Sequence, residues 1–205
     1  MMTNSVKCAA YGVAVLGVLM AACMSAASRV ERVDPNTEVD LSGYWNDTDA
    51  NMVAKAMIKD CVVRPWSATF KQDKGRQPVV RVYPVRNRSS EHVDYRFFTK
   101  QLEQELMNSG VSKIVADRVE AADNRAERDE QAKHASAETK KSHKRETGSD
   151  FVLNGWVVTQ NDAADGQEVR AYVVTLELSN TETNEKVWMK VHKIKKVVQR
   201  SSIAP

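Results

Sequence analysis

The residue of this 205-residue chain best suited to a chemical role is Cys23, which directly follows the most hydrophobic run of the sequence. That run, from Ala9 to Ala22, carries no charge, and Lys7 is the only charged residue before Cys23. It is shorter than the ~20 apolar residues that a membrane-spanning helix needs, but it suits the ~7–15-residue apolar region of a signal peptide. The pattern predicts an exported protein whose signal peptide is residues 1–22.

The residues around Cys23 resemble the lipobox of bacterial lipoproteins, with Ala21 and Ala22 before the cysteine and Met20 where leucine is usual. In such proteins the cysteine thiol receives a diacylglycerol, and its amino group is acylated after cleavage. Several acyl chains hold a protein on a membrane far better than one chain does. We therefore expect lipid attachment at Cys23. The alternative is an ordinary cleaved signal peptide in which this cysteine is incidental.

The rest of the chain shows no catalytic or metal-binding pattern. Its four histidines are scattered in the sequence: His92, His134, His143 and His192. No His-x-x-x-His or Cys-x-x-Cys pair occurs, and neither does a Gly-x-Ser-x-Gly turn or a glycine-rich phosphate loop. Cys61 could serve as a nucleophile, but it has no evident triad partner, and a small buried apolar residue describes it better. We expect a protein that is not an enzyme and that uses no metal or cofactor.

Charge and cysteine content limit the remaining classes. The formal net charge is +3, and removal of the signal peptide with Lys7 leaves 29 basic and 27 acidic residues, or +2. Such a small excess argues against a dedicated nucleic-acid binder. No second apolar run approaches the length of a membrane span. If Cys23 is acylated, Cys61 has no disulfide partner within the mature chain.

Hydrophobic spacing predicts the helices. Val53, Met57 and Cys61 recur every four residues, and the same spacing relates Phe98 to Leu106. The predicted helices are residues 48–61, 94–109 and 117–147. The last is rich in alanine and in charges of both signs, so we expect a solvent-exposed helix that packs only thinly and is broken near residues 134–136.

Apolar and β-branched runs predict the strands. The predicted strands are residues 78–86, 112–116, 150–160, 168–178 and 186–197. Pro84 cannot donate a ladder hydrogen bond, so pairing of the first strand should be lost near it. The order of elements predicts one α+β domain with helices packed on a mixed sheet of about five strands. Its first part is a right-handed strand–helix–strand unit and its last part is a three-stranded meander.

The last predicted strand is strongly basic. From Lys186 onward the chain has six Lys or Arg residues and no acidic residue. The favoured interpretation is an edge strand that lysines protect against pairing with other sheets. The alternative is a basic contact face for a partner.

Five blocks of the sequence resemble the LpoB-like lipoproteins that activate penicillin-binding proteins. They are VDLSGYWNDTD, DCVVRPW, VVRVYPVRNRSSEHVD, ELMNSG and LELSNTETNEKVW. The likeness runs from about Val39 to Lys196 and is distant from the enterobacterial member that gave the family its name. It implies a fold similar to the N-terminal domain of TolB, and a protein that binds a partner instead of catalysing a reaction.

The resemblance also implies where the protein acts. Its partner would be a peptidoglycan synthase (a penicillin-binding protein), bound from the periplasmic side of the outer membrane. Met24 is not the aspartate that retains lipoproteins on the inner membrane, which favours the outer one. We expect a short tether over residues 23–40 and the domain over residues 41–200. About 17 tether residues would span about 60 Å when fully extended. The alternative function is an envelope assembly or outer-membrane secretion component of the same fold class.

Five residues are candidates for partner binding. Asn87 and Arg88 match an Asn-Arg pair of the founding family, although Asn87 is equally well explained as a turn residue with local backbone hydrogen bonds. Tyr44, Trp45 and Trp66 are aromatic residues near predicted loop ends, where they could anchor a partner. Core packing is the more frequent role of such residues.

Overall fold

The structure is a computed structural model that describes residues 31–34, 37–39, 42–164 and 167–199. Cys23 and the predicted signal peptide lie outside the described residues. The chain divides into two units, residues 1–37 and residues 38–205. In the first unit, the backbone N–H of Thr37 donates to the carbonyl oxygen of Asp34 at 2.9 Å. The second unit contains all the helices and strands named below.

The described residues form four helices and six strands, which confirms the predicted α+β class with a mixed sheet. The helices are α1 (Asp47–Val62), α2 (Trp66–Lys74), α3 (Arg96–Asn108) and α4 (Arg118–His134). The strands are β1 (Val79–Val82), β2 (Arg86–Asn87), β3 (Lys113–Val115), β4 (Phe151–Ala164), β5 (Gln167–Asn180) and β6 (Lys186–Gln199). The sheet has six strands instead of about five, because the predicted strand around Pro84 is split into β1 and β2.

The sheet order is β3-β1-β4-β5-β6, with β2 also paired to β4. The pairs β1–β3, β1–β4 and β2–β4 are parallel, whereas β4–β5 and β5–β6 are antiparallel. This matches the predicted strand–helix–strand unit followed by a meander. Because β4 pairs with β1, β2 and β5, it places residues from all parts of the domain side by side.

The main core lies on one side of the sheet, which we call the inner face, under α1 and α3. Phe98, Leu102 and Leu106 of α3 are fully buried there, as their spacing predicts. The inward side chains of β5, from Tyr172 to Leu178, are also fully buried. On the opposite side, the outer face, Ala121 of α4 lies near β1 and β3 and is the only buried residue of its helix.

The helix α2 was not predicted. Pro65 ends α1, as expected, but it also occupies the N-cap position of α2. Proline is tolerated at the start of a helix because its missing N–H would have no partner there. Trp66 and Phe70, one helical turn apart, both pack edge-on against Phe151. The helix ends at Gly75, whose φ of +68° suits glycine.

The predicted helix over residues 117–147 is shorter in the structure. It begins after Asp117, whose side chain accepts hydrogen bonds from the first-turn N–H groups, and it ends at His134. The predicted break near residues 134–136 is therefore the end of the helix. Glu146 pairs with Arg125 at 2.7 Å and also with Arg128, and so ties the following non-helical segment to α4.

The C-terminal half of α1 is joined to β6 through Asp60. Its Oδ1 accepts a hydrogen bond from the Trp188 indole at 2.9 Å, and its Oδ2 lies 3.1 Å from both Lys190 Nζ and Arg64 Nη2. The Trp188 hydrogen bond, followed by those from Lys190 and Arg64, lowers the pKa of Asp60 to about 2.

The Asp60 contacts predict a loss of stability in acid. An unfolded aspartate has a pKa of about 3.9, so this lowered pKa stabilises the fold above about pH 4, and the contribution is lost as pH falls toward about 2. Asp60→Asn should show a shallower fall in the free energy of unfolding over that range. Urea titrations at several pH values measure it, and identical slopes for both proteins would contradict the prediction.

Cys61 lies in the core with 1% of its surface exposed, as expected for a small buried residue. Burial raises the pKa of its thiol to about 12. Because the thiolate is the reactive form, we expect no alkylation of Cys61 by iodoacetamide at pH 8 until the protein is unfolded. Mass spectrometry of a mature chain carrying Cys23→Ser, with and without denaturant, measures this. Equal rates in the two conditions would show that the thiol is accessible.

Candidate partner-binding site

The loop between β2 and α3, residues 88–95, is organised by Asn87. Its Nδ2 donates to the carbonyl oxygens of Glu91 (2.8 Å) and Val93 (3.1 Å). Its Oδ1 accepts from the backbone N–H (2.8 Å) and the hydroxyl (2.6 Å) of Ser89. These are the local hydrogen bonds of the turn interpretation. Asn87 therefore shapes the loop that presents its neighbour Arg88.

Arg88 lies over the ring of Trp156, a residue of β4. Its guanidinium carbon is 5.3 Å from the ring centroid, and that of Arg86 is 5.8 Å away. Parallel pairing of β2 with β4 sets Arg86 opposite Trp156. Both arginines are exposed, and within the described ranges neither has a carboxylate partner. Stacking on the ring holds two guanidinium groups in place with their N–H donors available to a ligand.

Sequence reasoning did not single out Trp156. The alternation of side chains along the predicted strand could have identified it. Leu153 and Val157 point to the core, and Trp156 has the opposite parity, so its side chain lies on the other face of the sheet. An aromatic residue on that parity points away from α1 and α3. The pairing that brings Arg86 and Arg88 beside it is not visible in the sequence.

Tyr44 is the most exposed of the three aromatic candidates, with 53% of its surface accessible. Its ring centroid lies 3.8 Å from the guanidinium carbon of Arg170. Arg170 is itself buried, and its Nε donates to Glu168 at 2.6 Å. This bond is the main reason that the pKa of Arg170 is raised. The exposed ring of Tyr44 is thus packed against the charged guanidinium of Arg170, whose position is held by Glu168.

Tyr172 connects the segment that carries Tyr44 to the loop over residues 88–95. The hydroxyl of Tyr172 donates to Glu91 Oε1 at 2.7 Å, and it also lies 3.1 Å from the carbonyl oxygen of Gly43. Burial, followed by the Glu91 hydrogen bond, raises the pKa of Tyr172. A Cβ at position 43 would lie 2.3 Å from the Val198 side chain, so the close packing of this segment against β6 requires glycine. Tyr44 and Arg88 therefore flank one connected loop.

The other two aromatic candidates serve the core. Trp45 is half-buried and packs against Tyr95, Phe98 and Tyr172, each with a centroid separation of 5.6 Å. Trp66 is only 5% exposed, and its indole N–H donates to the carbonyl oxygen of Cys61 at 2.9 Å. The core interpretation therefore describes both residues, and Trp66 is not brought together with Arg88.

Within the described parts of the chain, no cluster of three or more His, Cys, Asp or Glu residues could hold a metal ion. The helices described there include none with the length and apolar character needed to cross a bilayer. The main feature outside the core is thus a set of exposed cationic and aromatic side chains around one loop. The fold and this site define a small α+β domain with an exposed loop surface suited to macromolecular contact.

Residues 49–194 match the family described as peptidoglycan-synthase activator LpoB. The chain belongs to this family, as its sequence blocks indicate. A comparison with curated proteins finds no match.

Solved structures of the family and of other lipoproteins are similar to this chain. The C-terminal domain of LpoB from Escherichia coli is 17% identical, with 72% of this chain and 99% of that chain covered and a TM-score of 0.43. The NMR structure of E. coli LpoB is also 17% identical, covers 86% and 83% of the two chains, and has a TM-score of 0.41. Lipoprotein GNA1162 from Neisseria meningitidis is 14% identical, covers 62% and 88%, and has a TM-score of 0.39.

Proposed function

We propose that this protein is a lipoprotein, anchored through Cys23 to the periplasmic side of the outer membrane, that binds and activates a penicillin-binding protein without catalysing a reaction itself. Membership of a family described as peptidoglycan-synthase activators supports the class of partner. The signal-like run before Cys23 supports the anchor. The observation that carries the binding role is Arg88, which is stacked on Trp156 without an acidic partner among the described residues.

The geometry of Arg88 suits binding for an energetic reason. A free arginine side chain loses rotamer freedom when it binds, and this loss reduces affinity. Stacking on Trp156 has already restricted the side chain, so less freedom remains to be lost. The guanidinium can then make two parallel hydrogen bonds to a carboxylate of the synthase. Tyr44, exposed on the other side of the connected loop, adds an aromatic contact.

The anchor supports the same role by raising the local concentration of the domain. A tether of about 17 residues keeps it within about 60 Å of the membrane that holds Cys23. Tethering raises the effective concentration of the domain near the membrane, and so raises its apparent affinity for a partner that lies within the length of the tether. Mass spectrometry of the native protein tests the anchor, with an acylated Cys23 at the mature terminus as the expected result. An unmodified thiol, or another terminus, would contradict it.

The binding role is tested with the solubilised lipoprotein and the synthase that it captures. We expect Arg88→Ala to weaken both synthase binding and the stimulation of glycan polymerisation by roughly tenfold or more, as for an interface hot spot. The matched control is Arg118→Ala, because Arg118 is also exposed and stacks on Tyr83 at the same 5.3 Å.

The control variant should bind the synthase as the wild type does, because Arg118 lies at the start of α4 and stacks on Tyr83, which follows β1, and not on Trp156 of β4. Equal losses in the two variants would remove Arg88 from the interface. Failure of the wild-type protein to enrich any synthase would refute the proposed function itself.

A further inference from the structure

The outer face of β4, β5 and β6 is apolar at its centre. The pairing registers place Trp156 beside Thr175, which lies beside Val191, and set Val158 next to Val173 in the following row. Trp156, Val158 and Val173 are only partly buried, and Val191 is 44% exposed. Three strands about 4.8 Å apart, each rising about 3.4 Å per residue over the three residues that these rows span, give this apolar centre an area of roughly 150 Å².

The border of this surface is positively charged on two sides. Arg86 and Arg88 lie beside β4, and Lys193 and Lys195 project from β6 in the parity of Val191. No acidic partner of these four side chains exists among the residues that the structure describes. A partner that covers the surface must therefore bring negative charge.

Protection of an edge strand explains only part of the lysine content of β6. Three of its lysines form ion pairs within the domain: Lys186 with Glu177 at 2.8 Å, Lys190 with Asp60 at 3.1 Å, and Lys196 with Asp49 at 2.7 Å. Lys190 and Lys196 pair with carboxylates of α1, and Lys186 pairs with Glu177 on the outer face, whereas Lys193 and Lys195 face outward opposite Val173 and Ala171. These two lysines are therefore the ones left to contact a partner.

We propose that the outer face of β4, β5 and β6 binds a protein surface whose apolar centre is bordered by carboxylates. This inference rests on the proposed function and extends the Arg88 site across Trp156 to Lys193 and Lys195. A second copy of the chain fits poorly, because it would bring four cations against four cations. A protein partner fits better than a lipid surface, because the stacked guanidiniums offer directional donors that planar carboxylates match.

The composition of the surface agrees with this partner. Trp, Met and Arg are enriched at protein interfaces, and Met189 is 56% exposed at the edge of the same face.

The test compares the accessibility of two introduced thiols in intact cells and in the purified protein. Val191→Cys reports on the outer face, and Met52→Cys is the matched control on α1, with 45% exposure against 44% for Val191. Native Cys61 is buried and does not interfere. We expect a small maleimide to label the Val191→Cys thiol at least tenfold more slowly in cells than in the purified protein. The Met52→Cys thiol should react equally in both.

Charge reversal then identifies what covers the face. Lys193→Glu with Lys195→Glu should restore labelling in cells and weaken synthase capture at least tenfold, whereas Lys140→Glu with Lys141→Glu should change neither. Equal labelling in cells and in solution would overturn the inference. Protection of the purified protein by vesicles of phosphatidylglycerol and phosphatidylethanolamine alone would also overturn it, in favour of a membrane contact. Protection in cells without capture of any synthase would uphold the covered face and reject the proposed function.

Discussion

Replacing Phe98 with alanine is expected to lower the free energy of unfolding by about 3–5 kcal/mol, the usual cost of removing a buried phenylalanine. Phe98 is 1% exposed, and its ring packs edge-on against Trp45 at a centroid distance of 5.6 Å. The cavity would open at the contact between α3 and the sheet, and the fixed backbones of both elements limit how far it can collapse. Urea unfolding followed by circular dichroism measures the change.

The matched control for this prediction is the preceding residue. Phe97 has the same side chain in the same helix but is 50% exposed, so Phe97→Ala should cost well under half as much. The comparison removes differences in helix propensity, because both variants change phenylalanine to alanine inside α3. Similar losses from the two substitutions would show that the buried face of α3 is assigned incorrectly.

Asp49→Ala is expected to lower the free energy of unfolding by about 1.5–3 kcal/mol, because it removes a charge-assisted contact to the buried ammonium group of Lys196. Asp49 Oδ2 lies 2.7 Å from Lys196 Nζ, and the two side chains are 3% and 10% exposed. Asp49 also accepts a hydrogen bond from the Asn46 backbone N–H in the capping box of α1. One carboxylate therefore caps the first long helix and pairs with the last strand.

Two further substitutions separate these roles of Asp49. Asp47→Ala, at an exposed acidic position in the same turn, should cost no more than about 1 kcal/mol through the helix dipole. Asp49→Asn keeps an oxygen for the Asn46 N–H but removes the charge, so it should fall between Asp47→Ala and Asp49→Ala. If Asp49→Ala is as stable as Asp47→Ala in urea titrations, the pair with Lys196 does not stabilise the fold.

The candidate site shows how different parts of the domain combine in one surface. Asn87 shapes the loop through four local hydrogen bonds, and the neighbouring Arg88 is held on Trp156. Glu91, in the same loop, accepts from Tyr172 and so connects it to the segment that carries Tyr44. A partner that contacts this surface would therefore meet side chains whose positions are already restricted, which lowers the entropic cost of binding.

Much of the fold could be predicted because its elements depend on short-range patterns. Spacing of apolar residues located α1 and α3, and the parity of the long strands indicated which side chains are buried. The helix α2 was missed because Pro65 was interpreted only as a stop signal, although it also permits a start. For β6, the alternation in the sequence is imperfect, and burial of Trp188 shows which side faces the core.

The amino-acid sequence was sufficient to indicate the family, through the resemblance of its sequence blocks. It also indicated the α+β class and the buried faces of the helices, since these follow from spacings of a few residues. The folded arrangement was needed for the stack of Arg86 and Arg88 on Trp156, which depends on the parallel pairing of β2 with β4 across about 70 residues of chain. It was also needed for the pair of Asp49 with Lys196. Local propensities carry no information about which distant strands pair, because that pairing is selected by packing of the whole core.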